Sequence, residues 1–415
     1  MKTARIIVKS LFFAFLVLVT AVFCTAAYLE NSVSKELKIK QGESLSLDLK
    51  VPVTAVYDGN VIKAESTFNT VGKEYEVDLK MFGVIPFSTV NVEVVDEMQV
   101  ALLGKPFGMK IYTEGVLVVD MTDFDTPEGL VNPAKQAGIK IGDYIISVNG
   151  EKVYSNEDLC EKVLESGGQK MKFVIMRNKT KIHLSVKPVI SSETEGYKIG
   201  IWVRDSSAGI GTLTFYSPAA NIVCGLGHGI CDEDTDALLK ISSGEIVDAS
   251  IVSVKKGCAG CPGQLNGKLK DDKIGDILLN SNEGVYSSNS VDIDCHNLIK
   301  VALKQEVTNG EAEIFCTVDG EKPELYTCEI KIRPSSLLSK TQNLLVTVTD
   351  KRLLDKTGGI VQGLSGSPVI QNGKLIGAIT HVLVDDPTTG YAIFAENMLE
   401  TAQSVANENK LKDAS

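Results

Sequence analysis

The chain has 415 residues, 44% of them apolar and 23% charged, and a formal net charge of -11. That composition suits two or three folded domains and excludes wholesale disorder; the 36 glycines show no collagen period. The acidic balance disfavours a nucleic-acid partner, which needs a basic face.

Arg5 and Lys9 precede Ser10 to Leu29, a run without a charged residue. About 20 helical residues span the ~30 Å hydrocarbon core. The basic flank stays inside, so the remainder of the chain is expected on the extracytoplasmic side. The run is long for a signal h-region. That favours an uncleaved anchor over residues 1–30 against a cleaved signal peptide.

Residues 31–97 alternate apolar and polar in short runs, a small β-rich region of no readable motif. Residues 98–190 read as a second domain. Pro133 to Gly138 is a one-turn helix with a glycine stop, Asn149-Gly150 is a hairpin turn, and Asn156 to Ser166 is an amphipathic helix. The stretch PAKQAGIKIGDYIISVNGEKV resembles a PDZ domain. By that resemblance Pro106, Phe107, Gly108 and Met109 form the loop that receives a peptide's terminal carboxylate, and the peptide joins the sheet edge as a strand. Residues 191–415 carry many short β runs, which argue for a barrel or sandwich.

The nine cysteines crowd toward the C-terminal half, and Cys258-Ala-Gly-Cys261 has redox or zinc spacing. A second close pair is missing and the flanks read as a loop, so reduced thiols are the expected state, with a disulfide or a metal as rivals. Asp232 to Asp236 lacks the glycine and distal glutamate of a calcium loop. No His-Glu-x-x-His is present, which excludes that metalloprotease chemistry, and no metal or cofactor is expected.

Gly363-Leu-Ser-Gly-Ser-Pro368 places a serine between glycines ahead of a β run. Such a turn exposes the hydroxyl, and the amides of Gly363 and Ser365 can converge on an oxyanion. It resembles the G-x-S-G-x-P signature of trypsin-like peptidases, with Ser365 as nucleophile. A serine needs a base. Of four histidines, His228 sits in a glycine-flanked turn facing a cleft, whereas His381 lies on a β run and is expected to pack. An orienting carboxylate could come from Asp350, Asp355, Asp232, Asp385 or Asp386; Asp350 ends an apolar run and is the best placed.

Taken together, TDKRLLDKTGGIVQGLSGSPVIQNGKLIGAITHVLVDDPTTGY, RDSSAGIGTLTFY and GLGHGICD resemble the SpoIVB peptidase family, the stage IV sporulation signalling serine peptidases. The resemblance runs from about residue 85 to 400. It implies a mainly β fold with an N-terminal membrane helix, a PDZ domain and a trypsin-like double β-barrel. It implies the catalytic set His228, Asp350 and Ser365. It also implies a forespore-membrane enzyme working in the intermembrane space. There it would cleave a membrane-associated regulator, and itself, on the way to late mother-cell sigma factor activation. A PDZ ligand could be its own N-terminal segment. Two rivals are an HtrA-like quality-control protease, in which the PDZ domain follows the protease, and an inert PDZ adaptor.

Overall fold

The computed structural model describes residues 2–33, 35–45, 49, 51–62, 67–178, 180–231, 237–239, 241–333 and 341–413. The chain divides into residues 1–98 and 99–415.

In the first unit, α1 (Lys2–Ser32) precedes a five-stranded sheet. Its segment Lys9–Asn31 has a mean hydropathy of 2.4 and is long and apolar enough to cross a membrane. The sheet comprises β1 (Glu36–Lys40), β2 (Val53–Tyr57), β3 (Asn60–Val61), β4 (Glu74–Met81) and β5 (Ile85–Val95), in the order β1-β5-β4-β2-β3. Period-two alternation drives one face inward: Val77, Leu79, Met81, Val90, Val92 and Val94 are fully buried. Leu29 of α1 joins that core.

The second unit opens with β6 (Gln99–Leu102) and the 16-residue β7 (Pro106–Met121). The PDZ-like part follows. A hairpin of β8 (Phe124–Thr126) and β9 (Gly129–Val131) leads to α2 (Pro133–Ala137), which Asn132 caps and Gly138 ends in the left-handed region. Next come β10 (Tyr144–Val148), β11 (Glu151–Lys152), α3 (Asn156–Glu165), β12 (Met171–Arg177) and β13 (Thr180–Val186). A small pair, β14 (Val189–Ile190) and β15 (Tyr197–Lys198), closes it before β16 (Ile201–Ser217). Asn149 and Gly150 both have positive φ, the geometry the Asn-Gly turn demands. Val116, Val118, Ile139, Ile145, Phe173 and Ile175 form the core of this part.

The remaining strands are β17 (Ile222–Gly225), β18 (Ile241–Lys255), β19 (Gln264–Ser281), β20 (Gly284–Ser288), β21 (Leu298–Val301), β22 (Gly310–Cys316), β23 (Glu324–Ile332) and β24 (Leu344–Val348). After α4 (Lys351–Thr357) come β25 (Pro368–Gln371), β26 (Lys374–Val382), β27 (Thr389–Phe394) and α5 (Ala395–Asp413). Two closed rings result. The first runs β7-β16-β17-β20-β19-β18 and back to β7. The second runs β22-β23-β24-β27-β26-β25 and back to β22. Strand β6 pairs with β16 of the first ring and with β21, which pairs in parallel with β26 of the second. The mainly β, double-barrel expectation is met.

Strands β7 and β16 each serve two bodies. Pro106 to Ile111 and Ser207 to Thr212 pair within the first ring; Leu117 to Met121 and Ile201 to Arg204 pair within the PDZ-like part. The PDZ-like part is therefore an insertion between two strands of the first ring. Two expectations change. Residues 99–111, read from sequence as the start of the PDZ region, are barrel strands. Pro106, Phe107, Gly108 and Met109 do not form a loop: they lie between β16 and β18, with Gly108 opposite both Ile210 and Val247. Phe107 is fully buried. Burying it contributes roughly 1.5–3 kcal/mol, which a solvent-facing loop would forfeit.

Candidate active site

The loop that carries Ser365 lies between α4 and β25 of the second ring. Gly366, at φ +94°, approaches the first ring so closely that a Cβ there would lie 2.0 Å from the Thr212 carbonyl and 2.5 Å from the Leu226 nitrogen. Only glycine allows that contact. Leu226 and Gly227 also have positive φ and turn the chain after β17 so that His228 follows directly. A Cβ on Gly227 would touch Thr380, on β26. The Ser365 hydroxyl donates to the Thr380 carbonyl at 2.8 Å, and the His228 ring lies 4.9 Å from the His381 ring, centroid to centroid. Ser365 and His228, distant in sequence and on different rings, thus border the same stretch of β26.

His228 Nδ1 lies 2.8 Å from the Gly229 carbonyl. A carbonyl can only accept, so Nδ1 carries the proton and Nε2 presents its lone pair. Burial lowers the His228 pKa, partly offset by that hydrogen bond. The ring is consequently neutral at pH 7, as a base must be. His381 is exposed at its rim, yet loss of water around its ring, with His228 beside it, pushes its pKa down to about 4.

Every carbonyl from Gln362 to Gly366 is held from inside the protein. Leu265 N donates to Gln362 O at 2.8 Å, Thr212 Oγ1 to Gly363 O at 2.8 Å, and Ser367 Oγ to Leu364 O at 2.6 Å. Thr212 N donates to Ser365 O at 2.9 Å and Thr214 Oγ1 to Gly366 O at 2.7 Å. Peptide planes fixed this way send their N–H groups in the opposite direction. The amides of Gly363 and Ser365 have no acceptor among the described residues. Two unsatisfied donors flanking a serine are the arrangement an oxyanion requires.

Asp350 is not brought to this cluster by any hydrogen bond. It caps α4, accepting from the Arg352 amide at 2.8 Å, and its carboxylate pairs with the Arg352 guanidinium at 2.9 Å. Arg352 holds its pKa below the usual carboxylate value. Of the other carboxylate candidates, Asp386 accepts from Thr388 and Thr389, and Asp232 lies outside the described residues, as does the rest of the 232–236 cluster. Cys258 and Cys261 are free, exposed and paired through their backbones in a tight hairpin, and no metal-ligating cluster occurs among the described residues.

Sequence reasoning missed Thr212, Thr214, Ser367 and Thr380, whose roles depend on which carbonyl each reaches. It also expected His381 to pack rather than face the base. A second groove, of roughly 600 Å³, lies in the PDZ-like part between Leu159, Val163 and Leu164 of α3 and the chain from Tyr197 to Val203. There Ile201 to Val203 pair only with β7 among the described residues, leaving the other edge open. The turn before that edge includes Gly200 at φ +82°, and the amides of Ile199 and Gly200 have no acceptor among the described residues. The run Tyr197-Lys-Ile-Gly-Ile201 was the available signal. This edge follows the helices in the chain, whereas the carboxylate loop was expected on the strand that precedes them.

The model of the SpoIVB peptidase S55 family matches residues 195–399, and a PDZ domain model matches residues 132–177. The chain belongs to the SpoIVB peptidase family. The first of these models is that of a peptidase and the second that of a PDZ domain. The SpoIVB peptidase match begins after the PDZ-like core, so it leaves out β6 and all of β7, the strand that closes the first ring. Among curated proteins, the chain is 37% identical over 67 residues to the regulator of sigma-W protease RasP of Bacillus subtilis (strain 168), covering 16% of each protein. It is 28% identical over 146 residues to the zinc metalloprotease RasP of Geobacillus kaustophilus (strain HTA426), covering 32% of this chain and 34% of that one. The chain therefore spans about a third or less of these relatives. The PDZ domain of an SdrC-like protein from Listeria monocytogenes is 18% identical, with a TM-score of 0.18, covering 22% of this chain and 87% of that one.

Proposed function

We propose that this chain is a membrane-anchored serine endopeptidase in which Ser365 is the nucleophile and His228 the base. The observation that carries the reading is the loop from Gln362 to Gly366: all its carbonyls are satisfied inward, while the Gly363 and Ser365 amides are left without acceptors. In the reaction the Ser365 hydroxyl turns from the Thr380 carbonyl to His228 Nε2 and attacks the substrate carbonyl. Nε2 takes the proton, and the new oxyanion receives the Gly363 and Ser365 amides. The intermediate collapses as Nε2–H gives its proton to the leaving amine. Water then repeats the sequence on the acyl-enzyme and restores the hydroxyl.

The Gly229 carbonyl holds the imidazole in the required tautomer. Asp350 has the third place by resemblance, and taking it would require opening its pair with Arg352. The groove beside α3 would accept a peptide as an added strand along Ile201 to Val203, its carboxylate on the Ile199 and Gly200 amides. Family membership supports the rest: anchoring by Lys9–Asn31 in the forespore membrane, catalysis in the intermembrane space, and cleavage of a membrane-associated regulator of pro-sigma factor processing, with self-cleavage. The test is proteolysis by full-length protein and its Ser365→Ala variant. Turnover should fall by at least about 10⁴-fold. Equal cleavage by both would remove Ser365 from the reaction, and no cleavage by wild type under any condition would favour a PDZ adaptor.

A further inference from the structure

We infer that Thr212 and Thr214 are positioning residues for the oxyanion loop, acting through their side-chain hydroxyls; the inference rests on the proposed serine-peptidase reading. They occupy alternate positions on β16 and so share a face, while Leu213 points to the opposite face, into the core of the first ring. Thr212 is 2% exposed and Thr214 is fully buried. The partners of both hydroxyls are carbonyls of the nucleophile loop: Gly363 at 2.8 Å and Gly366 at 2.7 Å.

The geometry makes these contacts more than adhesive. The two amides offered to the oxyanion belong to the peptide planes 362–363 and 364–365. The plane between them, 363–364, carries the carbonyl that Thr212 holds, so that hydroxyl sets the angle between the two donors. The Thr212 amide holds the plane 365–366, just beyond Ser365, and the Thr214 hydroxyl fixes the next, 366–367. Both hydroxyls are shut away from water, so solvent cannot replace a lost donor. A carbonyl deprived of its partner must turn to find another, and the neighbouring amide turns with it. The clamp also crosses from one ring to the other: the threonines belong to the first and the loop to the second.

The test uses full-length protein carrying Thr212→Val or Thr214→Val, which keep the β-branched shape and remove only the hydroxyl. Thr214 is the cleaner position, because Thr212 also donates its backbone amide to Ser365. For either variant kcat should fall by about 10- to 100-fold with KM within about twofold. Affinity for a peptide boronate, whose tetrahedral adduct occupies the oxyanion site, should fall in parallel. Thr212→Ser and Thr214→Ser should recover activity to within about threefold, since they restore the donor. A lowered melting temperature with unchanged kcat and boronate affinity would make the threonines merely structural and overturn the inference. Where valine prevents folding, serine and cysteine at each position grade donor strength; activity that follows donor strength supports the clamp, and equal activity overturns it. Absence of Ser365-dependent turnover in wild type would instead be a failure of the serine-peptidase reading.

Discussion

At the scale of single residues, the imidazole pair His228 and His381 makes the most specific demand on pH. Burial lowers the His228 pKa below 6.5, and that of His381 falls to about 4. The base is active when neutral, so kcat/KM should hold as pH falls through 6.5 and decline only below it. In His381→Ala water reaches His228, and the acidic limb should move up toward 6.5; an unmoved limb would disprove this coupling. Both groups bind protons less readily folded than unfolded, so stability should decrease as pH falls from 6.5 toward 4. Asp350 poses the opposite question. Asparagine caps a helix as well as aspartate does, so Asp350→Asn retains the cap while removing the charge that pairs with Arg352. With the Gly229 carbonyl orienting His228, kcat should remain within about tenfold of wild type. A loss near 10⁴-fold would instead give Asp350 the orienting place. The turns that carry Ser365 and His228 were legible in sequence because glycine-lined turns advertise exposed polar groups. The group at Nδ1 was not, because a backbone carbonyl has no sequence signature.

At the scale of elements, β7 and β16 decide the architecture. Their lengths, 16 and 17 residues, exceed what either body needs, and each crosses from the PDZ-like part into the barrel. The sequence showed the PDZ helices and the Asn-Gly turn clearly, since caps and turns are local chemistry. It did not show that residues 99–111 belong with strands beyond residue 200, because pairing across an insertion leaves no local mark. That is also why the carboxylate loop was sought at Pro106 to Met109. The topology predicts that replacing residues 115–203 with a tight turn, joining the barrel halves of β7 and β16 as a hairpin, leaves a folded peptidase. Cooperative unfolding of the shortened protein, measured by circular dichroism, would agree with an inserted domain. A chain that fails to fold would mean that the PDZ-like part completes the barrel.

At the scale of the whole molecule, the two rings bring His228 from one and Ser365 from the other to the same stretch of β26. In the proposed reaction Ser365 supplies the reacting atom, His228 the proton acceptor, and the inward-held loop the oxyanion donors. The direct measurement is labelling of full-length protein with a serine-reactive peptidyl phosphonate, followed by peptide mapping. The account predicts a single adduct on Ser365 that His228→Ala slows by about 10³-fold or more. An adduct on Ser367, or labelling of Ser365 that ignores the loss of His228, would contradict it.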